Sequence, residues 1–219
     1  MADRNGRGVF FDLDGVVLDS IGAIWRTTRE VLFAVGVPEA RLPDVECFLT
    51  TFAMPCASFY RAYGVTSSPA ELDDLFFRII PCYEEVVEPY WGIRPTVERL
   101  RTFGFRTAIV SSGRPERIEA KLSKFDLRGL FDAVYAGAAI KTESLRAASA
   151  DFGLPPERAC FVGDLSSDMR DARAAGILPI GFAADYPFMP PVLVTAGAVA
   201  WVHELEDLPS VITGLLSQC

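Results

Sequence analysis

Histidine and lysine are scarce in this sequence. Its 219 residues contain a single histidine, His203, and only three lysines, Lys121, Lys124 and Lys141. Histidine-based catalytic triads therefore have one candidate histidine, and zinc sites that need several histidines have almost no material. His203, beside an apolar stretch, is expected to be structural. A mechanism that needs an ammonium group has three candidates. Lys121 and Lys124 share one face of a predicted helix, and we expect replacement of either to be near neutral.

Long apolar runs and paired cysteines are also absent. No apolar run approaches the roughly 18 to 20 residues of a membrane span, and the start MADRNGRG lacks the apolar stretch of a signal peptide. The five cysteines form no C-x-x-C pair, which is typical of a reduced cytosolic protein without disulfides. We expect a cytoplasmic monomer or homodimer.

The charge balance is acidic. The net charge is −8 and the pI is about 4.8, which argues against a partner such as nucleic acid or an anionic membrane. An anionic substrate must then be held by a local site, with a metal ion as the expected aid.

Short apolar runs alternate with helical patterns along most of the chain. The predicted helices cover residues 95–103, 115–124, 143–152 and 167–175. Several of the runs are apolar throughout, as in strands that are covered on both faces. This alternation predicts a doubly wound parallel α/β sheet. The predicted strands are Gly8 to Phe11, Arg106 to Val110, Ala133 to Ala136, Ala159 to Val162, Leu178 to Gly181 and Ala200 to Val202.

One interval, from about Ser20 to Pro89, contains no convincing strand. Its apolar residues recur with a helical period, so it is predicted to be an all-helical insertion. The insertion follows the first strand directly and should therefore cover the end of the sheet. We predict a core domain of residues 1–18 and 90–219 and a helical cap of residues 19–89.

Polar side chains follow four of the predicted strands. Because ligands of open parallel sheets bind at the carboxyl ends of the strands, these side chains are the candidate site. Taken singly, each has an ordinary explanation: turn chemistry, a helix cap or a solvated lysine. Together they place like charges at one edge, which costs stability unless a cation joins them. The candidates are Asp12, Asp14, Ser111, Ser112, Gly113, Arg114, Lys141, Asp164 and Asp168.

The residue types indicate phosphoryl transfer with a hard cation. Asp12, Asp164 and the backbone carbonyl of Asp14 are suitable ligands for Mg²⁺. A serine hydroxyl, backbone amides at a helix start and a lysine suit the oxygens of a phosphoryl group. Asp12 and Asp14 lie two residues apart on an extended segment and can point to the same side, so one can attack phosphorus while the other handles the leaving-group proton.

The sequence resembles the haloacid dehalogenase superfamily, and within it the phosphatases with a small helical cap, such as phosphoglycolate phosphatases and β-phosphoglucomutase-like members. VFFDLDGVVLDS resembles the first motif of the family, TAIVSSG the second, Lys141 the third and VGDLSSD the fourth. The likeness covers essentially all 219 residues.

This resemblance implies a Rossmann-like core, a Mg²⁺ cofactor and an aspartyl-phosphate intermediate. The substrate would be a small phosphorylated metabolite. The implied roles are Asp12 as nucleophile, Asp14 as general acid and base, Ser111 and Lys141 as phosphate ligands, Asp164 as magnesium ligand and Asp168 as a supporting acid.

The sequence departs from the family pattern in two places. Family members of this type usually have proline after the third-motif lysine, whereas Thr142 stands here. The β-phosphoglucomutases carry a histidine in the first cap helix, where this chain has about Ile24. Hydrolysis is therefore favoured over mutase chemistry, while Asp14 argues against dehalogenation. A phosphomutase and a non-catalytic phosphate-binding module remain the alternatives.

Two readings of the cap stay open. Phe52, Met54 and Pro55 either face the site or pack the interior of the cap. Arg26, Arg29 and Arg61 either meet a substrate carboxylate or second phosphate, or are solvated; the Arg114 side chain is the better candidate for an auxiliary phosphate contact. The sequence does not decide which substrate the cap selects.

Overall fold

The computed structural model describes residues 6–217 and contains one six-stranded sheet in which every neighbouring pair of strands is parallel. The strand order is β3-β2-β1-β4-β5-β6. Each predicted strand is found within one residue at either end, so the predicted α/β fold is confirmed. The strands are β1 (Arg7–Phe11), β2 (Phe105–Ser111), β3 (Ala133–Ala136), β4 (Ala159–Gly163), β5 (Leu178–Phe182) and β6 (Ala200–Val202).

Ten α-helices accompany the sheet within the described range, four of them in the insertion after β1. The four predicted core helices are α5 to α8, found within two residues of the expected bounds, whereas α9 and α10 were not predicted. The helices are α1 (Ile21–Ala34), α2 (Val45–Thr51), α3 (Ala57–Ala62), α4 (Pro69–Ile79), α5 (Ile93–Thr102), α6 (Pro115–Lys124), α7 (Thr142–Asp151), α8 (Ser166–Ala175), α9 (Met189–Ala196) and α10 (Leu208–Leu216).

The central position of β1 explains its composition. Val9 and Phe11 belong to one buried apolar cluster and Phe10 to another, on opposite faces of the sheet. All three are fully buried, as expected for a parallel strand with helices on both sides. After β1 the chain builds β2 and β3 on one side and then crosses to β4 on the other. The carboxyl ends of β1 and β4 therefore form the switch point where such sheets bind ligands.

The insertion is helical throughout. It consists of α1 to α4 with short 3₁₀ turns at Glu39–Arg41, Ile80–Cys82 and Glu84–Val86. The two segments that connect it to the sheet lie side by side, because Leu18 bridges Pro89 and the Asp19 N–H donates to the Glu88 carbonyl at 2.9 Å. This pairing supports the proposed division into a core of residues 1–18 and 90–219 and a cap of residues 19–89.

The cap packs through its own apolar cluster and continues onto the core. Phe48, Phe59 and Tyr60 are buried in this cluster, which also includes Met169 of α8 and Met189 of α9. The cap therefore rests on the core helices beside the carboxyl ends of the strands.

No helix in the described part of the chain is long and apolar enough to cross a membrane. Residues 1–5, on which the expectation about a signal peptide falls, and residues 218–219, which include Cys219, lie outside the described residues.

Candidate active site

Asp12 lies directly beyond the end of β1 and is almost completely buried. Its N–H donates to the Val162 carbonyl of β4 at 2.9 Å, which ties the turn to the neighbouring strand. One carboxylate oxygen accepts a hydrogen bond from the Leu13 N–H at 2.7 Å, and the other accepts one from Lys141 Nζ. The position and orientation of this carboxylate are thus fixed by backbone and side-chain contacts together.

Three carboxylates meet at this point. Oxygens of Asp12, Asp164 and Asp168 lie within 4.8 Å of one another, and all three residues are buried. Asp164 follows β4 and Asp168 lies in the first turn of α8. The gathering that the sequence predicts at the strand ends is therefore present in the structure.

Two glycines make room for this acidic cluster of Asp12, Asp164 and Asp168. Gly15 has a φ of +83°, and a Cβ there would overlap the Asp164 carboxylate, so the turn after β1 lies directly against that side chain. A Cβ at Gly163 would overlap Asp168 in the same way. Side chains at these positions would force the carboxylates apart.

The donor set fits a hard divalent cation. Asp164 Oδ1 is buried and has no hydrogen-bond partner among the residues that the structure describes. An unpaired buried carboxylate oxygen is costly, and oxygen ligands with a negative charge are those that Mg²⁺ prefers. The carboxylates of Asp12 and Asp164, with the adjacent backbone of residues 14–15, are the groups that would hold it. Asp14 would contribute through its carbonyl, because its side chain turns elsewhere.

Lys141 lies at the centre of the cluster and is only 3% exposed. Its ammonium donates to Asp12 and, at 2.8 Å, to Asp168. The Lys141 N–H donates to Asp171 of α8 at 2.8 Å, and the Thr142 hydroxyl donates to the other oxygen of the same carboxylate at 3.1 Å. These bonds fix the start of α7 at the position where family members usually have proline.

Burial and charge shift the pKa values of this cluster. Burial raises the pKa of Asp12 to about 7. Attraction to Lys141 lowers this pKa, and repulsion from Asp168 raises it further. Burial, together with repulsion from Asp168 and Asp12, raises the pKa of Asp164 well above its ordinary value. Burial disfavours the Lys141 ammonium, but attraction to Asp12 and Asp168 outweighs it and raises the pKa of that lysine. One ammonium therefore does not neutralise three buried carboxylates, and a divalent cation would.

Asp14 is held by two contacts outside the acidic cluster. Its carboxylate accepts hydrogen bonds from the Ser20 hydroxyl at 2.9 Å and from Lys121 Nζ at 2.8 Å. Lys121 also pairs at 3.2 Å with Glu84 of the cap, which in turn pairs with Arg117 at 2.5 Å. The sequence-based expectation that replacement of Lys121 is near neutral took no account of these contacts. The helical pattern showed which face Lys121 occupies, but not the cap residue and the turn that this face meets.

The segment after β2 forms a polar loop beside the cluster. Ser111 is buried, and its hydroxyl accepts a hydrogen bond from the Gly113 N–H at 3.2 Å. The Ser112 hydroxyl is buried and has no hydrogen-bond partner among the residues described. Arg114 precedes the first turn of α6, and its guanidinium carbon lies 3.7 Å from the centre of the Phe77 ring in the cap. This loop leaves amides, a hydroxyl and a guanidinium available to an anion.

All nine candidate residues except Asp168 line one cavity of about 450 Å³ between the core and the cap. The cap side of this cavity, hereafter the cap wall, is mainly apolar. Asp73 and Glu84 are its acidic members. The apolar members include Ile24, Phe48, Phe52, Met54, Phe76 and Phe77.

The two open readings of the cap are now distinguished. Phe52 and Met54 line the cavity and Pro55 does not. The three candidate arginines of the cap do not line it: Arg26 and Arg61 are exposed, and Arg29 donates to the Pro43 carbonyl at 2.7 Å. Outside the site, His203 Nδ1 donates a hydrogen bond to the Ala184 carbonyl, 2.6 Å away, in agreement with a structural role.

Comparisons with known proteins agree with this architecture. A family model described as haloacid dehalogenase-like hydrolase matches residues 9–182. The phosphoglycolate phosphatase of Pseudomonas savastanoi pv. phaseolicola is 28% identical over 220 residues, which span 95% of this chain and 79% of that protein. A haloacid dehalogenase-like protein of unknown function from Agrobacterium tumefaciens is 26% identical, with a TM-score of 0.77 over 96% of this chain and 99% of that one. A putative β-phosphoglucomutase from Thermotoga maritima shares the fold, at 22% identity and a TM-score of 0.66 over 95% and 99% of the two chains. The chain belongs to the haloacid dehalogenase-like hydrolase family.

Proposed function

We propose that this chain is a Mg²⁺-dependent phosphomonoester hydrolase that acts on a small phosphorylated metabolite through an aspartyl-phosphate on Asp12. The observation that carries the proposal is the convergence of the strand-end groups in one cavity. The Asp12 carboxylate, the Lys141 ammonium and the Ser111–Arg114 loop all face it, and the acidic cluster around Asp12 provides ligands for a cation. Nucleophile, phosphate ligands and cation ligands are the three sets of groups that the reaction needs.

In the first half-reaction a lone pair on one carboxylate oxygen of Asp12 attacks phosphorus, and the bond from phosphorus to the ester oxygen breaks. Asp14 gives its proton to the departing alkoxide, so that an alcohol leaves and Asp14 becomes a carboxylate. Lys141 and the amides of the loop after β2 stabilise the negative charge on the phosphoryl oxygens.

In the second half-reaction a water molecule attacks phosphorus and gives its proton to Asp14. The bond from phosphorus to Asp12 breaks, which restores the Asp12 carboxylate and releases inorganic phosphate. Ser20 and Lys121 keep the Asp14 carboxylate in place for both proton transfers. The cap covers the cavity and reduces the access of other water during the reaction.

Mg²⁺, when bound by Asp12, Asp164 and the Asp14 carbonyl, supplies positive charge that screens the attacking carboxylate from the phosphate dianion. Asp168 supports this site through Lys141, to which it is hydrogen-bonded at 2.8 Å. Ser111, Ser112, Gly113 and Arg114 complete the proposed phosphate site.

Ile24 favours hydrolysis over the mutase alternative. It lies on the cap wall, at about the place where the mutases that the sequence resembles have a histidine. An alkyl side chain cannot accept a proton from a sugar hydroxyl. Ile24 therefore cannot help a sugar hydroxyl to compete with water in the attack on phosphorus. The alternative of a non-catalytic phosphate-binding module does not explain why the proposed nucleophile, acid and cation ligands are all present.

The test of the function is phosphate release by the purified protein in Mg²⁺ over a panel of phosphorylated sugars, short acids and nucleotides. The relatives named phosphoglycolate phosphatase make 2-phosphoglycolate the first compound to assay. We expect saturable release of inorganic phosphate. Transfer of phosphate between sugar positions without release would identify a mutase, and the absence of any turnover would support the binding module.

The three lysines form a graded series that tests the proposed roles. We expect Lys141→Ala to lower kcat/KM by about 100-fold or more, since it removes a preorganised charge beside the transferred group. Lys121→Ala should lower it by about 10-fold to 100-fold, because Asp14 loses one of its two orienting contacts. Lys124→Ala should be near neutral, since Lys124 is on the same helix but does not line the cavity. Equal activity of all three variants would contradict both assignments.

A further inference from the structure

We propose that this site selects phosphomonoesters whose leaving group is uncharged and largely apolar, and that it discriminates against phosphorylated carboxylic acids. This inference rests on the proposed hydrolase function and names the substrate class of the same site. It comes from the charges and side chains around the cavity of about 450 Å³.

The cap wall contains no cation. No lysine or arginine of residues 19–89, all of which the structure describes, lines the cavity. Large apolar side chains cover most of this side, and they would contact the part of a substrate that projects from the phosphate towards the cap. An apolar group of the substrate that is buried against them stabilises the complex, because its surface leaves water. The acidic side chains of the cap wall are Asp73 and Glu84. Glu84 is paired with core cations, whereas Asp73 has the sign that repels a carboxylate.

The cations that do line the cavity all belong to the core, and three of them are already paired. Lys141 is bonded to Asp12 and to Asp168. Lys121 is bonded to Asp14 at 2.8 Å and to Glu84 at 3.2 Å. These lysines have carboxylate partners within the protein, and a substrate carboxylate would have to displace them.

Arg117 and Arg114 complete the set. Arg117 is paired with Glu84 at 2.5 Å. Arg114 has no ion pair with the described residues, but it lies next to Gly113 in the proposed phosphate loop and its guanidinium covers the Phe77 ring. A phosphate dianion would use this charge first. No unpaired cation of the lining then remains for a second anionic group on the substrate.

The cavity volume lies within the range of small-ligand sites and leaves room for an organic leaving group beside the phosphoryl group. The free energy available to bind that group comes from Ile24, Phe52, Met54 and their neighbours. A carboxylate at the same place would lose its hydration without gaining a partner, which is unfavourable.

The experiment compares a homologous series of esters with one matched acid. kcat/KM is measured in Mg²⁺ for ethyl, propyl, butyl and hexyl phosphate and for 2-phosphoglycolate, in which a carboxylate replaces the terminal ethyl group of propyl phosphate. We expect kcat/KM to rise by up to about fourfold for each methylene that the cap wall buries. We expect 2-phosphoglycolate to lie at least about tenfold below propyl phosphate, although its alcohol is the better leaving group.

A flat alkyl series, or 2-phosphoglycolate as good as propyl phosphate, would overturn the inference and leave the hydrolase function intact. No release from any ester in the series or in the broader panel would overturn the hydrolase function itself, and the substrate class with it. The two failures are therefore distinguished by whether phosphate is released at all.

A charge placed on the cap wall provides a second, independent readout. Met54 is half-buried on the wall, and Met54→Lys keeps the length of the side chain while adding an ammonium. We expect the ratio of kcat/KM for 2-phosphoglycolate to that for propyl phosphate to rise by about tenfold or more. Ala62→Lys, an exposed position of α3 outside the lining, is the matched control and should leave this ratio unchanged. A folded Met54→Lys protein with an unchanged ratio would show that the cap wall does not select the leaving group.

Discussion

Asp12→Asn is expected to abolish turnover, with a loss in kcat of at least about 10⁴-fold, the scale on which removal of a catalytic nucleophile acts. The amide has nearly the shape of the carboxylate and can keep the 2.7 Å hydrogen bond from the Leu13 N–H. It has no negative charge with which to attack phosphorus or to pair with Lys141. The loss therefore reflects chemistry, and a circular dichroism spectrum and melting curve should show that the fold is retained.

The covalent step is tested by the intermediate that it forms. Beryllofluoride, a mimic of an aspartyl-bound phosphoryl group, should bind to the wild-type protein in Mg²⁺ and fail to bind to Asp12→Asn. Asp14→Asn is the matched control, because it should bind beryllofluoride while losing at least about 100-fold in turnover through the missing proton transfer. In a single turnover in H₂¹⁸O the label should appear in the released phosphate, since water attacks phosphorus in the second half-reaction.

Substantial turnover by Asp12→Asn would contradict covalent catalysis. Mass spectrometry of the variant before and after the assay must first show that the asparagine has not deamidated to aspartate. With that control, a water molecule activated by the metal would be the remaining candidate for the nucleophile.

The sheet and the positions of the carboxyl ends of its strands were predictable, because each strand depends on a short segment of sequence. A buried parallel strand is apolar throughout, so the run VFF predicts β1, and the polar residues after this run mark the carboxyl end of the strand. Once the strands are parallel, topology alone brings the end of β1 and the end of β4 together at the switch point. Asp12 and Asp164 are therefore neighbours although 152 positions separate them in the chain.

Contacts between the core and the cap were not predictable in this way. A helical period shows which face of a helix is apolar, but not which partner that face meets. Lys121 meets Asp14 across 107 positions and Glu84 of the cap, and neither contact leaves a local signal. Thr142 raised a similar difficulty. Its bond to Asp171 of α8 becomes visible only when α7 and α8 are packed side by side.

The cap residues that contact the substrate were only partly predictable from the sequence. The apolar residues of 20–89 have to cover the interior of the cap and the cavity at the same time, and the pattern does not separate the two. Phe52 shows why, since it packs on Phe48 at a ring separation of 4.7 Å and also lines the cavity. The arginines of the cap were equally ambiguous, because an exposed arginine and a substrate-binding arginine look the same in sequence.

Removal of the divalent cation is the second change with a large expected effect. Treatment with EDTA should reduce phosphate release to the background rate, and added Mg²⁺ should restore it. The reason lies in the acidic cluster: three buried carboxylates within 4.8 Å of one another share one ammonium, and Asp164 Oδ1 has no hydrogen-bond partner among the described residues. Ca²⁺ should support less activity than Mg²⁺, because it tolerates higher coordination numbers and can engage both oxygens of Asp12, including the one that attacks.

The same cluster predicts how cation binding depends on pH. Without a cation the pKa of Asp12 is about 7, above its value of 3.8 in an unfolded chain. Between about pH 4 and pH 7 the folded protein therefore binds more protons at this site than the unfolded one, and stability falls as the pH rises through this window. A cation must displace that proton, so its stabilising effect should be larger above pH 7 than near pH 5.

Thermal unfolding measures this effect without reference to turnover. At a Mg²⁺ concentration of about 100 Kd the free energy of unfolding should rise by about 2.7 kcal/mol, or roughly 5 to 10 °C in Tm for a domain of this size. Asp164→Asn should remove most of the shift, whereas Asp151→Asn, on α7 away from the cavity, should retain it. Full turnover in chelator-treated protein would contradict this assignment, and so would a Tm shift that survives in Asp164→Asn and is independent of pH. Either result would mean that the carboxylates of Asp12 and Asp164, which follow β1 and β4, do not hold the cation. Protonation of these two carboxylates would then be the way in which the protein neutralises them.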